Sequence, residues 1–186
     1  MFIQTESTPN PNSLKFVLDL DLNNKTVEFE SIDDCSDSDL ARLLFQINGV
    51  DKVFFGQNFI SINKKGYDWD QLKAPILMIL SDYISSGKKI LKSQKKEDEK
   101  KGIEFDEKDQ STVDQICDVI NAKVKPAVSK DGGDVDFKKF KDGIVYLSLQ
   151  GSCVGCPSSS ITLKNGIENL LKHYVRDVVG VEQYNA

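Results

Sequence analysis

Apolar positions along the chain alternate with polar ones first and then fall into helical spacing, and this change of period happens twice. FIQTE, LKFVL and TVEFE are short runs rich in β-branched and aromatic residues, divided by Pro-Asn and Asn-Asn turn signals, and they predict three strands. A helix is predicted next. Ser36 and Asp39 fit a capping box, and Leu40, Leu43, Leu44 and Ile47 recur at i, i+3, i+4 and i+7 before Gly49 ends the pattern. VDKVFF and FISINKK then predict a hairpin about Gly56-Gln57-Asn58. A second helix carries Trp69, Leu72, Ile76, Ile79, Leu80 and Tyr83 on one stripe, with Pro75 inside it as a threat to its first turn.

The second passage begins with a helix over about Ser111 to Lys125, striped by Val113, Ile116, Cys117, Ile120 and Val124, which Pro126 lets run one more turn at most. Lys130-Asp131-Gly132-Gly133-Asp134 predicts a tight turn, because glycine reaches backbone angles that strain other residues. Val135, Phe137 and Phe140 on one side of Asp142-Gly143, and Ile144 to Leu149 on the other, predict a second hairpin. A helix starts at Pro157 and runs to about His173, with Ile161, Leu163, Ile167, Leu170, Leu171 and Tyr174 apolar. VRDVVGVEQY supplies a last strand. The predicted class is α+β: two small α+β domains, the second in the order α-β-β-α-β.

Between the two passages, residues 88–110 are dominated by Lys, Asp and Glu. A segment so poor in apolar side chains does not offset its ordering entropy, so a flexible charged linker is expected there. Domains 1–87 and 111–186 flank it. Their charges differ: residues 1–86 hold seven basic and thirteen acidic side chains, a net of −6, whereas residues 111–186 hold nine of each. The 186 residues are enough for two domains, and 39% hydrophobic with 28% charged content is that of a globular protein. The net charge of −5 argues against nucleic acid or an anionic membrane as partner. The longest apolar stretch, APILMIL, is too short for a membrane span, and MFIQTESTPN has neither secretory nor transit character. A reducing compartment is expected, where cysteines serve as ligands, redox groups or packing.

The candidate chemistry lies in GSCVGCPSSS, residues 151–160, where the strand ends and the helix is to begin. Cys153 and Cys156 form a C-x-x-C pair. A helix N-terminus favours thiolate, the form that attacks disulfides and binds metal, so local electrostatics support a redox pair, a zinc site and an iron–sulfur site alike. Ligand counting separates them. Zinc and the common iron–sulfur clusters take four protein ligands, and one chain offers two. Two chains about a two-fold axis would supply four thiolates around a shared metal centre. The other candidates read as structural. Cys35 is expected to be an exposed loop thiol, Cys117 a core residue and His173 a surface residue. Asp131, Asp134 and the loop serines are expected to shape turns and caps. The single Gly-Gly is a weak phosphate signal.

DGGDVDF, the hairpin and GSCVGCPSSSITLKNGIE together resemble the C-terminal domain of the NifU-like family, the Nfu iron–sulfur scaffolds and carriers. FIQTESTPNPNSLKF, LARLLFQINGVDKVFFGQNFISI and WDQLK resemble the N-terminal domain fused to it in bacterial and mitochondrial members. The resemblance implies a 4Fe–4S cluster held by Cys153 and Cys156 of two protomers and passed to apo iron–sulfur recipient proteins. It also implies upstream assembly factors as partners, a homodimer when loaded, no enzymatic turnover, and a cytoplasmic (bacterial) or mitochondrial-matrix home. Two rivals stand beside it. One is a thiol–disulfide oxidoreductase, against which the second domain lacks an extended βαβ pattern; the other is a structural zinc-bridged dimer. Small neighbours of the pair are expected to leave the thiols exposed to an approaching protein.

Overall fold

In a computed structural model of the chain, residues 3–22, 26–92, 102–155 and 159–184 are described. The first domain is a five-stranded antiparallel sheet in the order β1-β2-β5-β4-β3, made of Ile3–Ser7, Ser13–Leu18, Phe59–Lys64, Val50–Phe55 and Val27–Phe29. Helices α1 (Asp39–Phe45) and α2 (Trp69–Ser85) complete it. One sheet face, with Phe16, Val53, Phe55, Ile60 and Ile62, joins Leu40, Leu44, Leu72, Ile76 and Leu80 in a core. Burying each such side chain stabilises the fold by about 1.5–3 kcal/mol, which offsets the ~3 kcal/mol cost of a proline within a helix. Helix α2 accordingly continues through Pro75, opened by an Asp68–Gln71 capping box.

Three local expectations change. The cap of α1 is Ser38, whose hydroxyl accepts from the Ala41 N–H at 3.2 Å; Ser36 belongs to a 3-10 turn over Ile32–Asp37. Leu43 points outward at 37% exposure. Cys35 is not an exposed thiol: it is fully buried, because the 3-10 turn rolls it into the core, where Sγ donates to the Ser31 carbonyl at 3.3 Å. Burial pushes its thiol pKa up, against the pull of the Arg42 guanidinium, so it is the unreactive form that sits there.

The second domain follows the order α-β-β-α-β. Its first helical path passes Pro126 and ends about one turn later, at Lys130. It runs as α3 (Gln110–Val119), a π turn over Ile120–Val124, and α4 (Lys125–Lys130). The Lys125 N–H bonds to Ile120 across the wide turn, and that widening lets a residue without an N–H enter the next turn. Strands β6 (Gly133–Lys141) and β7 (Ile144–Gly151) form the expected hairpin, with Asp142 and Gly143 both at positive φ, 50° and 80°. Helix α5 (Ser159–Tyr174) carries the chain to β8 (Gly180–Gln183), parallel to β7. The core joins Val113, Ile116, Val135, Val145, Leu147, Ile167 and Leu171. Cys117 packs at its margin and Tyr174 is 47% exposed. His173 is exposed and meets the Tyr174 ring edge-on.

The flanks of the charged segment pack against the domains. Leu91 is buried in the first core, and the Ser38 hydroxyl donates to the Ile90 carbonyl at 2.8 Å. Glu104 bridges to Lys139 of β6, and Ile103 and Phe105 rest on the second core. Residues 93–101 lie outside the described residues. No helix among the described residues is long and apolar enough to cross a membrane.

Candidate cluster-binding loop

Strand β7 ends at Gly151, where φ of +68° turns the chain out of the sheet. Ser152 N–H bonds back to the Gly132 carbonyl at 3.2 Å and Val154 N–H to Gly151 at 3.2 Å. The Ser152 hydroxyl donates to the Asp131 carbonyl. The loop is thus laced to the Asp131-Gly132-Gly133 turn, and Cys153 is seated beside that turn. A Cβ placed on Gly133 would stand 2.5 Å from the Cys153 sulfur and 2.7 Å from the Gln150 carbonyl oxygen, so glycine there makes the room for the thiol. The Gly-Gly pair has a packing role that sequence reading assigned only to turn geometry. Cys156, Pro157 and Ser158 lie outside the described residues.

The expected exposure of the loop is not found. Cys153 is 6% and Ser152 2% exposed. Cys153 turns into the second core, and the first domain lays its other sheet face against the backbone of the loop. Seven hydrogen bonds cross between the domains among the described residues. Asn10 Nδ2 donates to the carbonyls of Ser152 and Val154 at 3.0 and 3.1 Å, on either side of Cys153. Ser61 Oγ donates to the Gly132 carbonyl at 2.6 Å, Lys15 Nζ to Lys130 at 3.2 Å and Asn63 Nδ2 to Gly151 at 3.4 Å. Thr26 Oγ1 donates to Asp134 Oδ2 at 2.7 Å, and the Gly151 N–H donates to Glu28 Oε1 at 2.7 Å. Asp134 therefore joins the domains rather than only shaping the turn. Phe54 and Phe59, both buried but outside the first core, add the apolar part of this face.

Two carboxyls are caught in this contact. Burial raises the Glu28 pKa, against the Gly151 N–H and the Lys52 ammonium. Burial raises Asp134 as well, against the Lys125 ammonium and the Thr26 hydroxyl. A carboxyl raised in the folded state still holds a proton that the unfolded chain has released. Its contribution is full below the ordinary carboxylate range and is lost as pH rises through the raised value. Between acid and neutral pH, wild type should therefore lose more melting temperature than Glu28→Gln, which keeps an acceptor for Gly151 and buries no charge. Equal pH slopes for the two proteins would contradict this.

Among the described residues, no cluster of three or more His, Cys, Asp and Glu side chains could hold a metal within one chain. The described donor is one soft sulfur on a short glycine-flanked loop between hairpin and helix. A sulfur donor suits a soft metal ion rather than an oxygen cage. The fold is α+β, with two sheets and a cysteine seated in the loop that joins β7 to α5.

The comparisons give that class its family. The model described as "Scaffold protein Nfu/NifU N terminal" matches residues 3–87, and that described as "NifU-like domain" matches 116–182. The human "NFU1 iron-sulfur cluster scaffold homolog, mitochondrial" is 46% identical over 186 residues, which is 98% of this chain and 72% of that protein. The Drosophila willistoni protein of the same description is 41% identical and is spanned over 63% of its length. A solution NMR structure of a NifU-like protein from Saccharomyces cerevisiae is 27% identical, covering 50% of this chain and 87% of that one at a TM-score of 0.46. The chain belongs to the Nfu family of iron–sulfur cluster scaffolds.

Proposed function

We propose that this protein carries a 4Fe–4S cluster between two protomers, each contributing Cys153 and Cys156, and delivers it to apo iron–sulfur proteins. The observation that carries the reading is the seating of Cys153. Its loop joins strand to helix, and the Gly132-Gly133 turn keeps space for the sulfur. Family membership supports an iron–sulfur cargo, and the shortage of ligands in one chain supports the shared site. Domains 1–87 and 111–186, joined through the charged segment 88–110, divide the work: the second binds the cargo and the first meets other surfaces. A home with the mitochondrial relatives, or in a cytoplasm, suits a thiol-dependent cargo.

Delivery needs only ligand exchange. A recipient thiol gives up its proton as its sulfur bonds to iron, the departing protomer thiolate takes a proton up, and no electrons change hands. Repeating this moves the cargo from one protomer and then the other. Gly155, exposed two residues after Cys153 and without a side chain, suits such exchange, because it leaves room for a recipient surface beside the loop.

Anaerobic reconstitution with iron and sulfide tests the reading. The expected product is brown, elutes at twice the monomer mass, and holds about two iron and two sulfide per chain. A colourless chain that binds zinc instead, or that reduces insulin disulfides, would replace the reading with one of its rivals. A cluster on a stable monomer would refute the shared site.

A further inference from the structure

The polar face of the first domain's sheet fits the backbone of the thiol loop closely enough to act on it. Asn10 is the clearest case. The Asn12 N–H donates to its Oδ1 at 3.0 Å, and the Asn10 N–H donates to Thr8 Oγ1 at 3.2 Å. The Thr8-to-Asn12 turn thereby holds the Asn10 side chain in place, 2% exposed, with Nδ2 aimed at the loop. Ser61 and Asn63 alternate on β5 with the core residues Ile60 and Ile62, so they stand on the opposite sheet face. Lys15 pairs with Ser61 across the strands and lies over the Phe59 ring at 4.9 Å. Among the described residues the face presents donors where the loop presents carbonyls, and an acceptor, Glu28, where the loop presents the Gly151 N–H.

We propose that this sheet face is an intramolecular cover for the thiol loop, closing over Cys153 in the unloaded chain and lifting before a second chain can share the cargo. The inference rests on the preceding functional reading for its purpose, but not for its evidence. A two-fold shared site requires another chain's loop to come within bonding distance of the same iron atoms as Cys153. Cys153 itself packs in the second core, and Asn10, bonded to the carbonyls on both sides of it, sets the first domain against the backbone that a second chain's loop would have to approach. The contact is of a kind that opens. It is largely polar, and Asn63 Oδ1 is buried in it with no hydrogen-bond partner among the described residues. The two domains keep separate cores, so the cover can lift as a unit.

Labelling with N-ethylmaleimide, read at each cysteine by peptide mass, tests the cover in the intact metal-free chain under reducing conditions. Ser61→Arg places a side chain too large for the contact on the face turned away from the first core, and Asn10→Ala removes both carbonyl contacts. Cys153 should be labelled slowly in wild type and roughly tenfold faster or more in Ser61→Arg, with a smaller rise in Asn10→Ala, because labelling follows the open population. Cys35, buried in the first core, should stay slow in all three. Equal Cys153 rates in the three proteins would show that its own domain buries it, and the cover would be overturned. Should Ser61→Arg also expose Cys35, the variant has unfolded the first domain, and small-angle scattering of wild type decides: one compact particle upholds the cover, two separated lobes overturn it. The cargo reading fails on a different measurement, the absence of iron and sulfide uptake, whatever the labelling shows.

Discussion

Serine at position 153 or at 156 is expected to leave the protein colourless after anaerobic reconstitution, with iron per chain falling from about two to near zero. The reason is ionisation and softness together. A serine hydroxyl stays protonated at neutral pH and is a hard oxygen donor, whereas iron–sulfur cargo is bound by thiolate. Loss of either sulfur takes two of four ligands from a symmetric dimer, so one substitution is enough. The change from sulfur to oxygen is small in volume, and Cys153→Ser should stay folded at a cost of about 1–2 kcal/mol for placing a hydroxyl at a 6% exposed position. Circular dichroism separates that cost from the loss of colour. Cys35→Ser and Cys117→Ser should load as the parent does. Cys35 sits in the other domain's core with its thiol pKa raised by burial, and Cys117 at the margin of the second core. Iron retained by Cys153→Ser, or lost by Cys35→Ser, would contradict the assignment.

Most of the elements were legible because their signals are local. The Asp142-Gly143 turn, the stripe of α2 and the alternation Val145-Leu147-Leu149 each report a contact made within a few residues. What was not legible depended on a second surface. FISINKK predicts half of a hairpin and no more, yet Phe59 through Asn63 are all buried, because helices cover Ile60 and Ile62 while the second domain covers Ser61 and Asn63. Polar residues that look solvated in a one-domain reading are the hydrogen-bond donors of an interface. Cys35 was misread for a related reason. Its acidic neighbours Asp33, Asp34 and Asp37 are on a 3-10 turn, whose tighter winding puts them outside while the thiol goes in. At the site, spacing pointed to the C-x-x-C pair, but nothing local revealed that Gly133, far earlier in the hairpin, holds open the room for Cys153.

That space makes the glycines around the loop a graded series. Gly151→Ala should be the most damaging. Its φ of +68° costs an L-residue about 1–2 kcal/mol. The new Cβ would also meet the Gly132 carbonyl oxygen at 2.7 Å and Gly133 Cα at 3.0 Å, both backbone atoms with nowhere to go. Overpacking of this kind adds about 1–3 kcal/mol, giving a total of about 2–5 kcal/mol. At ~4–8 °C per kcal/mol for a domain of this size, melting of the second domain should drop by about 8–40 °C. Gly133→Ala carries no positive φ and should cost about 1–3 kcal/mol, but its Cβ falls 2.5 Å from the Cys153 sulfur, so cargo uptake should suffer more than stability. Gly155→Ala shares a φ of +68° yet meets nothing within 4 Å, and about 1 kcal/mol is expected. Gly166→Ala, in the exposed interior of α5 with open space around it, should stabilise by up to about 1 kcal/mol. Thermal melts of the four variants, each with its iron content after reconstitution, check the order. If Gly133→Ala melted and loaded like the parent, the sulfur would not be seated against that strand.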